Sequence, residues 1–271
     1  MKKICLIVLL CIHCLAMNAQ SQCGVENKAF RSGEYLAYDL YFNWQLIWMK
    51  VGKATMSTIM STYDGKPAYR TSLVTGGNKK VDKLFTMRDT LVTYCSLTDL
   101  SPLYYRKGAL EGKRYYVDEL WYSYPGNGCH VKMHAQNSKG KHTRKEADFD
   151  KCVYDMLSIF LHARNFDAST MKKGDITPLP ITSASGMNDS WMEFIGKENY
   201  KIEGSEEKFR CLVFAFKERE KGKTHELIRF WVTDDDNHLP VRLDMNLSFG
   251  TAKAYLRSYK GVRNPMTSLL K

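Results

Sequence analysis

The chain has 271 residues and a formal charge of +11 at pH 7, with 44% hydrophobic and 25% charged residues. These fractions are typical of globular proteins, and they exclude wholesale disorder. After residue 19 no apolar run approaches the roughly 18 residues that a membrane-spanning helix requires. We therefore expect a globular mature chain without a transmembrane segment. Composition alone names no reaction.

The first 19 residues have the form of a secretory signal peptide. A basic start, Met1-Lys2-Lys3, precedes an apolar run from Ile4 to Ala16, and the small residue Ala19 precedes Gln20. The run is too short to span a bilayer comfortably. We therefore predict cleavage between about Ala19 and Gln20, followed by a single β-rich domain over residues 20–271.

The cysteines in and after this segment do not fit a lipoprotein signal, which needs a small residue directly before the acylated cysteine. Cys14 follows His13, and Cys23 follows Gln22. We therefore expect a soluble periplasmic product, or one exported by another route.

The mature chain keeps a charge of +9, because Lys2 and Lys3 leave with the signal and no acidic residue does. A basic protein suggests nucleic acid as a partner, but export argues against it. The polyanions of a bacterial envelope are lipopolysaccharide, phospholipid headgroups and acidic glycans. The partner hypotheses are therefore an anionic envelope glycan or lipid, or an envelope assembly protein. A basic surface without a dedicated ligand is the alternative.

Five of the eight cysteines remain after cleavage: Cys23, Cys95, Cys129, Cys152 and Cys211. The count is odd and no spacing repeats, so the pattern does not predict a disulfide framework. A single bridge between Cys129 and Cys152 stays open as an alternative. Cys211 lies in an apolar run, where a buried and unreactive thiol is expected.

Short runs rich in aromatic and β-branched residues, separated by turn clusters, dominate the rest of the chain and predict an all-β, mainly antiparallel fold. The predicted strands are Glu34–Phe42, Lys50–Ser61, Ala68–Thr75, Leu84–Tyr94, Pro102–Ala109, Arg114–Tyr124, Cys129–Gln136, Ser190–Ile195, Phe209–Arg219, Thr224–Thr233, Val241–Phe249 and Thr251–Ser258.

The sequences of two turns predict the strand-pairing register of their hairpins. A loop centred on Glu111-Gly112 predicts Tyr104 opposite Glu119 and places Arg106 diagonal to Glu119. A second turn, Glu220-Lys221-Gly222-Lys223, predicts Lys217 opposite Glu226 and Phe216 opposite Leu227.

One segment, Asp150–Asn165, has helical periodicity instead. Its apolar stripe consists of Val153, Leu157, Phe160 and Leu161, widened by Met156 and Ile159. Asp148 or Asp150 would cap its start, and His162 and Arg164 fall near its end. The prediction is one helix of about four turns packed against the sheet.

The sequence carries no strong signature of a metal or cofactor. Four potential ligands lie close together: Cys129, His130, His134 and His142. Strand residues four apart are separated by about 13 Å, so His130 and His134 cannot share an ion without a bend. Asp234-Asp235-Asp236-Asn237 lacks the glycine and distal glutamate of a calcium loop, which favours an acidic turn. We predict no metal and no cofactor.

Nucleophile motifs are also absent from the sequence. Ser183-Ala184-Ser185-Gly186 lacks the first glycine of a nucleophile elbow, and no glycine-rich phosphate loop occurs. Two carboxylates facing one cleft would still permit glycoside hydrolysis, but the sequence does not show which residues would pair.

The remaining signal is a group of aromatic and basic residues: Trp44, Trp48, Tyr104, Tyr105, Arg106, Tyr115, Tyr116, Trp121 and Tyr122. Tyrosine and tryptophan on a sheet face suit sugar stacking or lipid contact, since each has an apolar body and a polar tip. The alternative is that these side chains simply pack strands together.

Three stretches together resemble a family of exported Gram-negative proteins known as a domain of unknown function, with a YmcC-like fold. They are Phe30–Tyr38 with Val51–Ala54, then Tyr154–Phe160 with Arg164, and finally Trp231–Asp234 with Leu239–Val241 and Phe249–Ala254. The resemblance implies a strongly curved antiparallel sheet, or half-barrel, with a helix against it. It supplies no catalytic residues, and by analogy it suggests envelope glycan or lipid handling.

We therefore favour a non-enzymatic periplasmic protein that binds an envelope glycan or lipid, or serves as a scaffold for an assembly partner. The residues expected to contact the ligand are Tyr104, Arg106, Trp121 and Arg164. Aromatic rings would stack on the ligand and the arginines would pair with its anionic groups. A carbohydrate-active hydrolase of the periplasm is the alternative.

Overall fold

The computed structural model describes residues 25–44, 47–79, 81–83, 86–126, 128–184, 186–247 and 250–270, without the side chains of Trp44 and Ile47. The predicted signal peptide and Cys23 lie outside these ranges. Within them the chain is almost entirely β-structure, and the predicted all-β antiparallel class is confirmed. None of the described helices has the length and apolarity needed to cross a bilayer.

The described strands are β1 (Glu34–Trp44), β2 (Ile47–Tyr63), β3 (Lys66–Gly77), β4 (Met87–Ser96), β5 (Pro102–Glu111), β6 (Arg114–Ser123), β7 (Cys129–Gln136), β8 (His142–Phe149), β9 (Ile176–Pro178), β10 (Ile181–Ser183), β11 (Gly186–Lys201), β12 (Lys208–Glu220), β13 (Lys223–Thr233), β14 (Pro240–Leu247), β15 (Gly250–Lys260) and β16 (Leu269–Leu270). A single 3-10 turn spans Val81–Lys83, and the helix α1 spans Ser158–Ala163.

These strands form one sheet in the order β10-β11-β12-β13-β14-β15-β1-β2-β3-β4-β5-β6-β7-β8. The pairing of β1 with β15 joins two antiparallel meanders, and β9 and β16 add to β11 and β12 at the side. Because the meanders are antiparallel, the turns β1–β2, β3–β4, β5–β6, β7–β8, β12–β13 and β14–β15 share one end of the sheet. We call it the upper end, and the opposite end the lower end.

The sheet is rolled, and a hydrogen bond from one margin to a strand near the other margin shows this. A flat array of the fourteen strands in that path would be roughly 60 Å wide. Yet the backbone N–H of Ala184, which follows β10, donates to Asp118 on β6 at 3.2 Å. The inner face buries Leu120 of β6 and Phe214 of β12 against residues from the segment between β8 and β11, such as Leu157.

Each predicted strand corresponds to an observed one, with ends that differ by a few residues. The sequence prediction missed β8, because His142–Phe149 is polar and largely exposed at the sheet margin and so shows no alternation. The short strands β9 and β16 were also not predicted, because two or three residues are too few to show the alternation of a strand.

The predicted register of the β5–β6 hairpin is wrong by two residues. Glu111 pairs with Arg114, so the loop is Gly112-Lys113, with Gly112 at φ 63°. Tyr104 consequently lies opposite Trp121, and Arg106 directly opposite Glu119. A two-residue shift leaves every side chain on the same face, so alternation of apolar residues could not distinguish the two registers.

In the β12–β13 hairpin the predicted pairing of Lys217 with Glu226 is confirmed. Phe216, however, pairs with Ile228 and not with Leu227, because a bulge between Phe216 and Lys217 shifts the register. A bulge adds one residue to one strand, which a turn-based register does not anticipate.

The predicted four-turn helix over Asp150–Asn165 is wrong, because only Ser158–Ala163 is helical. Tyr154 instead forms a parallel bridge to Ile181. Val153, Leu157 and Leu161 are buried although most of the segment is not helical, whereas Met156 is 57% exposed. Their spacing therefore resembled a helical stripe without forming one. His162 lies in the last turn as expected.

The Cys129–Cys152 bridge is excluded by the structure. Cys95, Cys129 and Cys211 are free and buried, whereas Cys152 is disulfide-bonded. The prediction of a buried thiol at Cys211 is confirmed.

Candidate functional site

Four aromatic rings form a continuous row on the outer face of the sheet, across β2, β4, β5 and β6. Tyr63 stacks on Tyr104 with centroids 5.7 Å apart and an interplanar angle of 11°. Tyr94 lies 5.2 Å from Tyr63 and 6.3 Å from Tyr104, and Trp121 lies 5.6 Å from Tyr104. We call this set the aromatic row.

Strand alternation explains why these rings point outward. On β5 and β6 the neighbouring residues Tyr105 and Leu120 are buried on the inner face, so Tyr104 and Trp121 must face the other way. Trp121 is 36% exposed. The row therefore offers accessible ring surface to solvent, unlike the buried aromatic residues Tyr105 and Tyr122.

Glu119 on β6 organises the groups beside the row. Its carboxylate accepts a hydrogen bond from the Tyr104 hydroxyl at 2.8 Å and another from His134 Nδ1 at 2.8 Å. Arg106 Nε lies 3.4 Å from the same carboxylate, and Arg106 also donates to the Tyr115 hydroxyl at 3.3 Å. Tyr104 and Arg106 are thus held in place by one acidic residue.

The protonation state of Glu119 follows from its contacts. Partial burial favours a neutral Glu119, but hydrogen bonds from His134 and Tyr104 and the charge of Arg106 outweigh it, so the pKa of Glu119 is lowered. Burial, together with the Glu119 carboxylate, raises the pKa of the Tyr104 hydroxyl. At neutral pH Glu119 is therefore ionised, and it accepts a hydrogen bond from the neutral phenol of Tyr104.

Basic side chains flank the aromatic row. Lys132 of β7 is directly opposite Trp121, and Arg70 of β3 is directly opposite Tyr94. Arg144 of β8 pairs with His134, two residues further along β7 than Lys132. The surface thus combines ring faces with neighbouring basic side chains, of which Lys132 lies 4.0 Å from Glu146.

The histidines of β7 and β8 are engaged with neighbours. His134 Nε2 lies 2.8 Å from His142 Nδ1, and the two rings stack. His130 Nδ1 lies 2.7 Å from Asp148. Among the residues that the structure describes, no group of three or more histidine, cysteine or carboxylate side chains could hold a metal ion.

Arg164 does not belong to this surface, which corrects the expectation that it contacts a ligand together with the other three residues. Its side chain is 3% exposed, and it forms a bidentate ion pair with Glu34 at 2.5 and 2.9 Å. It also donates to the carbonyl oxygen of Asn237. Arg164 therefore stabilises the lower end from the inside. Its guanidinium is buried and its hydrogen-bond donors are used within the protein, so it cannot contact a ligand.

A second group of polar residues lies on the inner face near the upper end, around a cavity of about 380 Å³ lined by Lys107, Glu111, Tyr116 and Asp118. Asp118 pairs across the strands with Lys107. Asp89 on β4 is diagonal to Lys107, and its Oδ1 is buried without a hydrogen-bond partner among the described residues. Partial burial raises the pKa of both Asp89 and Asp118, although Lys107 offsets this in part.

The sequence did not reveal Glu119, Asp89 or Asp118 as members of a site. Their grouping depends on the pairing of β4, β5 and β6, and the alternation within each strand becomes informative only once that register is known.

The other residues singled out from the sequence do not join the aromatic row. The acidic turn has a structural role, and Trp48 lies elsewhere on the sheet. In the acidic turn, Asp234 pairs with Arg210, and Asp235 accepts a hydrogen bond from the Ser268 hydroxyl at 2.5 Å. Trp48 lies at the upper end, away from the aromatic row, and is 43% exposed. The side chain of Trp44 lies outside the described residues.

Comparison with known proteins gives a family and a fold. The family model described as "Protein of unknown function (DUF3108)" matches residues 37–257. A crystal structure of a beta-barrel-like protein of the domain of unknown function DUF1849 from Brucella abortus is similar, with a TM-score of 0.52 and 12% identity. The likeness covers 88% of this chain and 100% of that one, and at such identity it concerns the fold alone. No curated protein matches the chain.

Proposed function

This chain belongs to the DUF3108 family of proteins of unknown function, and we propose that it is an exported, non-enzymatic protein that binds an anionic envelope glycan on the aromatic row. The prediction of a domain of unknown function is confirmed by this membership. The YmcC-like resemblance and the periplasmic location are part of the proposal.

The observation that carries the proposal is the continuity of the aromatic row and its cationic flanks. A sugar ring has an apolar face of C–H groups, which stacks on tyrosine or tryptophan. Lys132 is directly opposite Trp121 at one side of the row, and Arg70 is directly opposite Tyr94 within its span, where both can pair with carboxylate or phosphate groups of an extended chain. An elongated outer surface suits a glycan strand better than a lipid chain, which requires an enclosed apolar cavity.

Glu119 contributes as a positioning residue. Its oxygens are already occupied by Tyr104, His134 and Arg106, so it fixes the orientation of the Tyr104 ring and the Arg106 guanidinium. Side chains held in advance lose less conformational entropy when a ligand binds, which raises affinity.

Export is supported by the basic start and apolar run of residues 1–19, with a single β-rich domain over residues 20–271 as the mature product. The disulfide at Cys152 supports an oxidising compartment, since such bonds are rare in the cytosol of mesophiles.

The test uses protein recovered from the periplasm of a Gram-negative host, examined by native mass spectrometry and on a glycan array. We expect a retained or array-bound acidic glycan. Trp121→Ala should weaken its binding about tenfold, and adding Arg106→Ala should weaken it further. Trp48→Ala, a matched change of an exposed tryptophan outside the row, should leave binding intact.

If neither native mass spectrometry nor the array shows a bound glycan, the ligand proposal fails and a scaffold for an assembly protein takes its place. Recovery of the protein only from the cytosol, with Cys152 reduced, would contradict the export proposal independently of the glycan.

A carbohydrate-active hydrolase is the second candidate, favoured by Asp89 and Asp118 on the inner face. From strand spacing their Cα atoms are about 12 Å apart, and inverting glycosidases hold their carboxyl groups about 6.5–9.5 Å apart. We would measure the release of reducing sugar from envelope glycans. Activity abolished by Asp89→Asn and by Asp118→Asn, but not by Glu111→Gln, would support this candidate; absence of release from every glycan that binds would remove it.

A further inference from the structure

The turns at the two ends of the sheet carry opposite charges. Within the described parts of the upper-end turns there are six lysines and one acidic residue: Lys79, Lys83, Lys113, Lys139, Lys141, Lys221 and Asp82. The described residues of the five lower-end turns include eight acids and no lysine or arginine: Asp64, Asp99, Glu203, Glu206, Glu207, Asp234, Asp235 and Asp236. The single acid of the upper set, Asp82, is paired with Arg88. The upper end is therefore a cationic rim.

The six lysines of this rim are exposed, and each belongs to a turn that projects beyond the strands. Four of the upper-end turns, β3–β4, β5–β6, β7–β8 and β12–β13, contribute these lysines, so the positive charge is not confined to one loop. A planar anionic surface can approach all of these turns together, which a compact ligand cannot do.

Exposed apolar side chains lie on the same end. Trp48 and Met49 begin β2 and are 43% and 39% exposed, and Leu247 ends β14 with 42% exposed. These positions are neighbours across the sheet, because Asn43 of β1 pairs with both Trp48 and Thr251, and Gly250 pairs with Leu247. The two hairpins thus present an apolar tip beside the cationic rim.

The contacts of Trp48 place cations directly at this tip. Lys253 Nζ lies 4.3 Å from the centre of the Trp48 ring and 3.8 Å from Asp244. Lys50 lies two residues along β2 with a side chain 44% exposed, and it is paired with Asp39 at 2.6 Å. Tryptophan beside lysine is the combination found at the headgroup level of membranes, where the indole meets both hydrocarbon and water.

We propose that the upper end of the sheet docks on an anionic lipid bilayer, with Trp48, Met49 and Leu247 entering the headgroup region and the turn lysines pairing with lipid phosphates. Apolar residues combined with a basic surface are the requirements of peripheral membrane binding. Charge alone would suit any polyanion, whereas the apolar tip is useful only against a surface with a hydrocarbon interior. The proposal concerns a different surface from the aromatic row and does not rest on glycan binding.

The test is cosedimentation of the mature chain with vesicles of phosphatidylcholine alone or mixed with phosphatidylglycerol. We expect binding to the mixed vesicles, weakened by salt, with a blue shift of tryptophan emission. Trp48→Ser with Met49→Ser should lower the apparent affinity about tenfold at unchanged charge. Lys139→Glu with Lys141→Glu should lower it and reduce its salt dependence.

Matched controls keep the outcome specific. Ile176→Ser removes an exposed apolar residue from β9, and Lys28→Glu reverses a charge before β1 at the lower end; both should bind vesicles like the unmodified protein. Trp121→Ala should affect glycan binding and leave vesicle binding unchanged, which separates this proposal from the previous one.

Two results would overturn the proposal. One is absence of binding to phosphatidylglycerol vesicles at low salt by a folded protein. The other is binding to soluble polyphosphate and to vesicles with equal affinity and with no effect of the Trp48→Ser and Met49→Ser changes, which would indicate a general polyanion site.

Discussion

At the scale of single residues, the ion pair between Arg164 and Glu34 holds the lower end together. Both side chains are almost completely buried, and the pair links the residue after α1 to the start of β1. Arg164 also donates to the carbonyl oxygen of Asn237, in the turn before β14. Three distant parts of the chain therefore meet at one guanidinium.

We predict that Arg164→Ala lowers the free energy of unfolding by about 3–5 kcal/mol, because it leaves the Glu34 carboxylate buried without its counter-charge. The measurement is urea denaturation at neutral pH. The double change Arg164→Met with Glu34→Leu should cost less than Arg164→Ala, since neither charge is then left uncompensated. Arg210→Ala, at a more exposed ion pair, should cost about 1 kcal/mol or less. A cost below about 1 kcal/mol for Arg164→Ala would contradict this account.

His162 in α1 should make stability depend on acidity. Burial lowers the pKa of its imidazole to about 4, and its Nδ1 has no hydrogen-bond partner among the described residues. In the unfolded chain a histidine titrates near pH 6.5. Between those values the unfolded state takes up a proton that the folded state excludes, so stability contributed by the neutral side chain is lost as pH falls.

We predict that the free energy of unfolding decreases between about pH 6.5 and pH 4, with up to about 3 kcal/mol attributable to His162. The measurement is urea denaturation across that range for the unmodified protein and for His162→Gln, which should have a shallower pH dependence. His225→Gln, at an exposed histidine on β13, is the control and should follow the unmodified protein. Equal pH slopes for all three proteins would contradict the assignment.

At the scale of elements, α1 depends on a carboxylate two residues before its N-cap, Leu157, inside the segment first expected to be helix. Asp155 accepts hydrogen bonds from the backbone N–H groups of Leu157 and Ser158 at 2.9 and 2.8 Å. It also accepts one from the Thr93 hydroxyl of β4 at 3.1 Å. This carboxylate therefore starts the helix and fastens it to the sheet.

Asp155→Ala should lower the free energy of unfolding by about 2–4 kcal/mol, because it removes the hydrogen bonds at the start of α1 and leaves several buried donors without partners. Urea denaturation measures the loss, and hydrogen exchange should show the amides of α1 opening first. Asp150→Ala, at one of the two exposed acids expected from the sequence to cap a helix, should change stability by no more than about 0.5 kcal/mol. The reverse order of the two effects would show that the role assigned to Asp155 is wrong.

Most of the sheet could be predicted from local patterns, and the exceptions have physical causes. Alternation located the strands, and the turn at Lys221-Gly222 gave the pairing of Lys217 with Glu226. The helix over Asp150–Asn165 could not be judged locally, because apolar residues in an irregular buried segment recur at spacings that resemble a helical stripe. The polar strand β8 had no apolar face to reveal it.

The candidate site was accessible to sequence reasoning only where neighbouring strands were involved. Tyr104, Arg106 and Trp121 lie on one face because they occupy outward positions of two consecutive strands. Arg164 was misplaced because its partner Glu34 is 130 residues away, and nothing local distinguishes a buried arginine from a surface one. The addition of Tyr63 to the row likewise required the packing of β2 beside the later strands.

At the scale of the whole molecule, the rolled sheet separates two surfaces of different chemistry. The aromatic row lies along the outer face of β2, β4, β5 and β6, and the cationic rim lies at the upper end of the strands. A molecule that contacts a bilayer by its rim would still present the row to a glycan beside it. The two proposals are thus compatible, and each can fail without the other.

The central claim is that the aromatic row is a ligand surface, and hydrogen exchange of the mature chain with and without its best acidic oligosaccharide from the array tests it directly. We predict that the ligand slows exchange in the strands that carry the row and its basic neighbours, β2 to β7, and leaves the upper-end turns and the segment around α1 unchanged. Slowing confined to the inner-face segment between β8 and β11, or to the upper-end turns, would contradict the claim.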